Sequence, residues 1–253
     1  LALLAFVAIL WLTEAVNVTI TALFVPILSV LLGLVNSREA LVAFADPTIF
    51  LFFGGFAIAT ALNVQKIDKM ISNKIMQLAK GRLFVAVLYL FLATAFLSMW
   101  MSNTATAAMM IPLSMTILSQ LDQKEEHNTY VFVLLGIAYS ATIGGMGTLV
   151  GSPPNAIAAS QLHLDFADWL MYGTPVMLIL FPLIIGWLYI VFKPKLGLHF
   201  AAEFEKIHMT KQRVLTLVIF ITVAILWIFG GYLNPIISQS LGLPKPIGSF
   251  DSM

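Results

Sequence analysis

Seven apolar segments follow one another along the chain, at about 1–16, 18–35, 47–62, 83–121, 129–160, 172–192 and 214–233. Short polar junctions separate most of them, and two longer hydrophilic stretches, 63–82 and 193–213, interrupt the series. Each segment is uncharged over a helix-sized length, so the pattern predicts membrane helices. Two segments do not fit a single straight span. The uncharged run Leu83 to Leu121 has 39 residues, and as one helix it would reach about 58 Å, roughly twice a ~30 Å hydrocarbon core. The chain must turn back within it, and the polar cluster Ser98, Ser102, Asn103, Thr104 and Thr106 lies near its middle. That places the cluster at the tip of a re-entrant hairpin.

The other irregular segment, 129–160, contains Gly144-Gly145-Met-Gly147-Thr148-Leu-Val-Gly151-Ser152-Pro153-Pro154-Asn155. Two prolines remove backbone donors, and each glycine weakens a helix by about 1 kcal/mol. A broken helix with unwound backbone at bilayer depth is expected. Such backbone survives only where protein or a wet cavity surrounds it. Ser152 followed by Pro153 suits the start of the second half-helix. Gly147 and Gly151 also form a small-xxx-small pair that lets helices approach closely, but that reading leaves Pro153 and Pro154 unexplained. A phosphate loop is excluded, because no Gly-Lys-Ser/Thr follows.

Charge orients the segments. The stretch 63–82 holds Lys66, Lys69, Lys74, Lys80 and Arg82, and 193–213 holds Lys193, Lys195, Lys206, Lys211 and Arg213. The excess of Lys and Arg in cytoplasmic loops puts both on the inner side. They agree only if 83–121 enters and leaves on that side, 129–160 exits and 172–192 returns. The junction 161–171, with Asp165 and Asp168 and no Lys or Arg, then faces out. Of the 13 basic residues, only Arg38 and Lys245 fall outside. A full two-span hairpin would satisfy the same charges, and the polar tip favours the re-entrant form. Within 63–80, Val64, Ile67, Ile71, Ile75 and Leu78 form an apolar stripe that predicts an amphipathic helix at the cytoplasmic interface. The segment 197–212 is a weaker second example.

Composition sharpens the class. Hydrophobic residues make up 60% and charged residues 10% of the chain, with mean hydropathy +0.97, outside the range of soluble domains. A net charge of +1 gives no reason to expect nucleic acid. With no Cys, thiolate metal sites and Cys nucleophiles are excluded from this chain. Leu1 already lies in an apolar segment without a basic n-region, so the opening reads as a span of a longer protein and not as a signal peptide.

A hairpin tip and a broken helix that meet near the midplane form the kind of site secondary transporters use. Half-helix N-termini offer N–H groups and partial positive charge to an anion. Unwound carbonyls, hydroxyls and an amide oxygen suit a hard cation. Ser98 and Ser102 are spaced one helical turn apart, so their hydroxyls could face one spot. Neither 83–121 nor 129–160 contains Asp, Glu, His, Lys or Arg, and proton coupling ordinarily needs a titratable group in the membrane. Neutral oxygens therefore point to sodium. Glu14 and Asn17 read as an interfacial turn, the four scattered histidines as loop residues, and Met109, Met110 and the aromatics of 50–56 as packing. The tryptophans are consistent with interface belts. No nucleophile–base pair or metal-ligand set lies within the membrane segments, so an enzyme is not expected.

The two motifs, Ser102-Asn103-Thr104-Ala-Thr-Ala-Ala-Met-Met and Gly144-Gly145…Gly151-Ser152-Pro153-Pro154-Asn155, resemble those of the divalent anion:sodium symporter family of di- and tricarboxylate carriers. The resemblance covers essentially the whole chain. It implies an all-α, polytopic membrane protein with a re-entrant hairpin and a broken transmembrane helix, one half of an inverted-repeat elevator transporter. It implies scaffold helices at 1–62, an arm helix at 63–82, half a transport domain at 83–192, a second arm at 193–213 and scaffold again at 214–253. Within 83–192 the hairpin is 83–121, the broken helix 129–160 and a further helix 172–192. Sodium would lie against Ser98, Ser102, Asn103 and Gly151, and a carboxylate substrate against Asn103, Thr104 and Ser152. A homodimer in the plasma (inner) membrane follows by the same resemblance. Each motif occurs once here, whereas the family carries a second, inverted copy, so half the site, including a second sodium position, is not in this chain. The expected activity is sodium-coupled import of succinate-like dicarboxylates. An exchanger of the same fold, or a channel-like or scaffold module without transport, are the alternatives.

Overall fold

The computed structural model describes residues 1–42, 44, 47–200 and 207–240. Lys206, Lys245, the 201–206 part of the second basic stretch and the 241–253 part of the last segment lie outside the described residues. The chain divides into two units, residues 1–49 and 50–253.

In the first unit, α1 (Ala2–Thr13) and α2 (Val18–Leu31) form a helical hairpin, followed by α3 (Ser37–Val42). Glu14 closes α1 in the left-handed conformation (φ 49°), and Asn17 caps α2 by accepting the Thr19 N–H at 2.9 Å. Glu14 and Asn17 are thus the two ends of a turn, as expected.

The second unit begins within α4 (Pro47–Val64), which bends by 60° into α5 (Ile67–Gln77). Lys66, at φ 54°, makes the elbow, and the Arg213 Nε donates to the Gln65 carbonyl there at 2.8 Å. α5 is amphipathic, but its buried face is Ile67, Asp68, Ser72, Asn73 and Met76, while Val64 and Leu78 at the ends of the expected stripe are exposed. The aromatics at 50–56 also differ from expectation: Phe50, Phe53 and Phe56 are exposed, and only Phe52 packs on a core cluster.

The run 83–121 folds as α6 (Leu83–Ser98), a turn over 99–102 and α7 (Asn103–Leu118). Each arm has 16 residues, about 24 Å at ~1.5 Å per residue and shorter than a ~30 Å core. That length fits a re-entrant hairpin better than two full spans. The run 129–160 is likewise interrupted: α8 (His127–Gly145) stops, residues 146–152 are unwound, and α9 (Pro153–Leu162) resumes with Ser152 as its N-cap. The long α10 (Phe166–Phe192) opens with a reciprocal cap between Asp165 and Asp168, and α11 (Lys211–Ser240) completes the described chain.

α8 is the centre of this unit. Of its span-length window 61% is buried in protein, against 11% for α10 and for α11. It packs on α6, α7 and α10. Phe91 of α6 seats its ring on Gly136 and meets Phe132 edge-on at 5.5 Å. Around it lie Leu83, Leu90, Met110, Ile117, Val133 and Ile137, all under 3% exposed. α10 and α11 present long apolar faces outward, which only a lipid environment or further protein tolerates. The helices α8, α10 and residues 211–230 are each long and apolar enough to cross a membrane, and α4 with α5 passes the same test as a bent pair. The protein is an all-α, polytopic membrane protein.

The helix expected over 197–212 is not formed in its described first part. Residues 194–200 are not helical, and Arg82 and His199 form an isolated antiparallel bridge. Pro194 and Gly197 disfavour helix, and the Leu83 and Phe200 amides bond instead to the Leu198 and Gly81 carbonyls at 3.1 and 2.9 Å. Lys195 reaches Glu126 at 2.9 Å.

Candidate functional site

The hairpin tip and the unwound segment meet. Ser98, the last residue of α6, is fully buried, and its hydroxyl lies 2.7 Å from both Asn103 Oδ1 and the Ala141 carbonyl. A serine has one hydrogen to give, so it donates to one of these oxygens at a time. Three oxygens therefore converge around a single proton. Asn103, the first residue of α7, rests on α8: a Cβ at Gly145 would lie 2.2 Å from Asn103 Oδ1. Gly151 closes the same spot, since a Cβ there would meet the Gly145 carbonyl at 2.5 Å and the Ser98 carbonyl at 3.0 Å. Glycine at 145 and 151 is thus dictated by close approach of neighbouring oxygens.

Residues outside the expected set hold the unwound backbone. Asn155 is buried and donates from Nδ2 to the Gly145 and Thr148 carbonyls at 2.7 and 2.8 Å. The fully buried Thr148 hydroxyl donates to the Met99 carbonyl of the hairpin turn and accepts the Gly151 N–H at 3.1 Å. From α10, Trp169 Nε1 donates to the Met146 carbonyl at 3.0 Å and Thr174 Oγ1 to the Gly147 carbonyl at 3.3 Å. The turn itself is anchored by Trp100, which stacks on Phe166 at 6.2 Å and meets Phe220 edge-on at 5.1 Å. Trp100, Trp169 and Trp227 thus belong to a packed cluster around the site.

Of the six residues singled out from sequence, Ser98, Asn103 and Gly151 come together. Ser102 and Ser98 do not share a helical turn, because the chain reverses between them. Ser102 is the exposed N-cap of α7, its hydroxyl accepting the Ala105 N–H at 3.2 Å. Thr104 is exposed on the first turn of α7, and Ser152 is half-buried at the start of α9 without a capping hydrogen bond. These three sit at half-helix N-termini beside the oxygen cluster. The two termini are unequal. α7 leaves the Asn103 and Thr104 amides without intrahelical partners. In α9, Pro153 and Pro154 have no N–H and the Asn155 amide bonds to the Ser152 carbonyl at 3.1 Å, so only the dipole and the Ser152 hydroxyl remain there.

Chemically the cluster is a set of neutral oxygens, with an amide oxygen and a carbonyl both in reach of one serine hydroxyl. Oxygen-only ligation suits hard cations, and three oxygens sharing one hydrogen are left richer in lone pairs than in donors. A sodium ion fits this donor set. The partial positive charge at the start of α7 lies next to it and suits an anionic group.

A lipid-embedded helical protein with a hairpin and a broken helix converging on such oxygens belongs among the membrane transporters. Comparison with known proteins gives the family: residues 8–249 match the citrate transporter family, and the chain belongs to it. It is 70% identical over all 253 residues to an uncharacterized transporter of Haemophilus influenzae, of which it covers 55%. It is 39% identical over 228 residues, 90% of the chain, to an uncharacterized transporter of Methanocaldococcus jannaschii, covering 51% of that protein. It is also 34% identical over 205 residues, 75% of the chain, to the sodium-dependent dicarboxylate transporter SdcS of Staphylococcus aureus, covering 39% of it. The chain thus spans about half, or less, of the length of these relatives.

Proposed function

We propose that the protein to which this chain contributes is a secondary transporter that imports succinate-like dicarboxylates together with sodium. The observation that carries the reading is the convergence of Ser98 Oγ, Asn103 Oδ1 and the Ala141 carbonyl within 2.7 Å contacts, beside Gly151 and without a charged residue in 83–121 or 129–160. Such a site holds sodium through neutral oxygens, and the bound ion supplies positive charge that no Arg or Lys provides. Sodium contacts fall to Ser98, Asn103 and Gly151, with Ser102 at the rim. Asn103, Thr104 and Ser152 meet a substrate carboxylate, aided by the helix dipoles. The name of the Staphylococcus aureus relative supports sodium and dicarboxylate as co-substrates.

The sodium and the dicarboxylate are cargo, moved by an elevator displacement of 83–192 against scaffold segments 1–62 and 214–253, with 63–82 and 193–213 as cytoplasmic arms. The transporter works as a homodimer in the plasma membrane and performs no chemical conversion. The test is dicarboxylate uptake by the full-length protein in proteoliposomes with and without an inward sodium gradient. Sodium-driven uptake is the expected result. Uptake driven equally by internal counter-substrate replaces this reading with an exchanger, and absence of uptake with either replaces it with a channel or scaffold module.

A further inference from the structure

We infer that Thr148 is a positioning residue that couples the two halves of the ion site through one hydroxyl. The hairpin turn and the unwound segment are 49 residues apart at this point, yet a single buried oxygen is bonded to both. It gives its hydrogen to the Met99 carbonyl, next to Ser98, and it receives the Gly151 N–H at 3.1 Å. Elsewhere in the molecule, helical hydroxyls such as Thr94, Thr142 and Thr222 bond back to the carbonyl four residues earlier, the ordinary local arrangement. Thr148 lies outside a helix, is 0% exposed and spends its one donor and one of its two acceptor lone pairs on the two backbone breaks.

The direction of the Thr148 contacts matters for the site. Gly151 approaches the Ser98 carbonyl so closely that a Cβ would come within 3.0 Å, and its N–H must point somewhere other than at the oxygens that would hold a cation. Thr148 takes that N–H away from the cluster. On the other side it fixes the Met99 carbonyl, which starts the turn that delivers Asn103. Asn155 reinforces the arrangement by tying the Gly145 carbonyl to the Thr148 carbonyl. Loss of the Thr148 hydroxyl leaves a buried N–H and a buried carbonyl without partners, and the two half-sites become free to drift apart.

The inference rests on the transport reading, and the experiment separates the two. Thr148→Val keeps the shape and removes the hydroxyl, and Thr148→Ser keeps the hydroxyl. In the full-length protein, Thr148→Val is expected to raise the sodium concentration for half-maximal succinate uptake by about tenfold, roughly one lost buried hydrogen bond. Thr148→Ser is expected to restore it to within about twofold of the wild type. Amide hydrogen exchange is measured on the same proteins without ligand. Thr148→Val is expected to speed exchange in both 99–104 and 146–152, and Thr148→Ser in neither. A Thr148→Val protein with wild-type exchange in the hairpin turn, or with an unchanged sodium requirement, overturns the coupling role. If the wild type itself needs no sodium, the transport reading fails and the exchange comparison alone decides Thr148. Should Thr148→Val not accumulate, Thr148→Ala against Thr148→Ser gives the same contrast.

Discussion

Asn103 combines three demands in one side chain: it begins α7, it lies on Gly145, and its amide oxygen shares the Ser98 proton. Truncation to alanine removes the amide oxygen proposed as the cation's ligand and leaves the helix start intact, because Ser102 still caps it. Asn103→Ala is therefore expected to insert normally and to lose sodium-dependent uptake by at least about tenfold, the scale of one hydrogen bond to a charged group. An unchanged sodium affinity would remove Asn103 from the ion site. Gly145 makes a sharper test of the same contact. A methyl group 2.2 Å from Asn103 Oδ1 cannot coexist with the amide where it is, so Gly145→Ala should reproduce the Asn103→Ala phenotype without touching a ligand. Gly54, also helical, has nothing within 4 Å of its Cβ position. Gly54→Ala should leave uptake unchanged and shift stability by no more than about 1 kcal/mol, in the stabilising direction. Uptake and thermal midpoint measured side by side distinguish the two glycines.

At the scale of elements, the period and length of the apolar runs were enough to find the hairpin and the broken helix, because bilayer thickness limits how far an uncharged helix can run. The turn at 99–102 and the break at 146–152 fall where the polar residues and prolines stand. The contacts between those breaks were not legible. Thr148 and Asn155 look like ordinary neighbours of Gly151 in sequence, and only the fold brings the Met99 carbonyl to Thr148. Spacing also misled at Ser98 and Ser102, since a helical repeat cannot be counted through a chain reversal. The face of α5 is another such case, where tertiary packing buried Asp68 in place of Val64 and Leu78. In the reading proposed above, α5, with Asp68, Lys69 and Lys74 in 11 residues, belongs to a cytoplasmic arm outside the hydrocarbon. Burial raises the Asp68 carboxyl above its ordinary value of 3.8, against the lowering effect of the Lys69 amide and the Asn63 side chain. A carboxyl with a raised folded pKa binds more protons folded than unfolded, so it costs stability as pH climbs from its ordinary value through the raised one. Asp68→Asn should therefore raise the thermal midpoint at about pH 7 and do so less at about pH 2.5, where the wild-type group is already protonated in both states. Equal gains at both values would show that burial of the charge is not what Asp68 costs.

For the molecule as a whole, the decisive property is how little charge surrounds the site. The interior of the hairpin and of the broken helix offers hydroxyls, amides and carbonyls, and 83–121 and 129–160 contain no carboxylate, histidine, lysine or arginine. Aspartate and lysine appear only at the margins, in the α4–α5 elbow and the junctions. A transporter that moved protons with its substrate would need a group that gains and loses one within the membrane. In the transport reading proposed above, the charge of a dicarboxylate is balanced instead by a co-bound cation and by half-helix dipoles, neither of which titrates near neutrality. Uptake by the full-length protein, compared at constant concentration of doubly ionised substrate and constant sodium, should accordingly change by less than about twofold between pH 6.5 and 8.5, because no residue of this half-site takes up a proton there. A steep fall with rising pH would locate a proton-carrying group elsewhere in the transporter and would take the driving force away from the Ser98–Asn103 cluster.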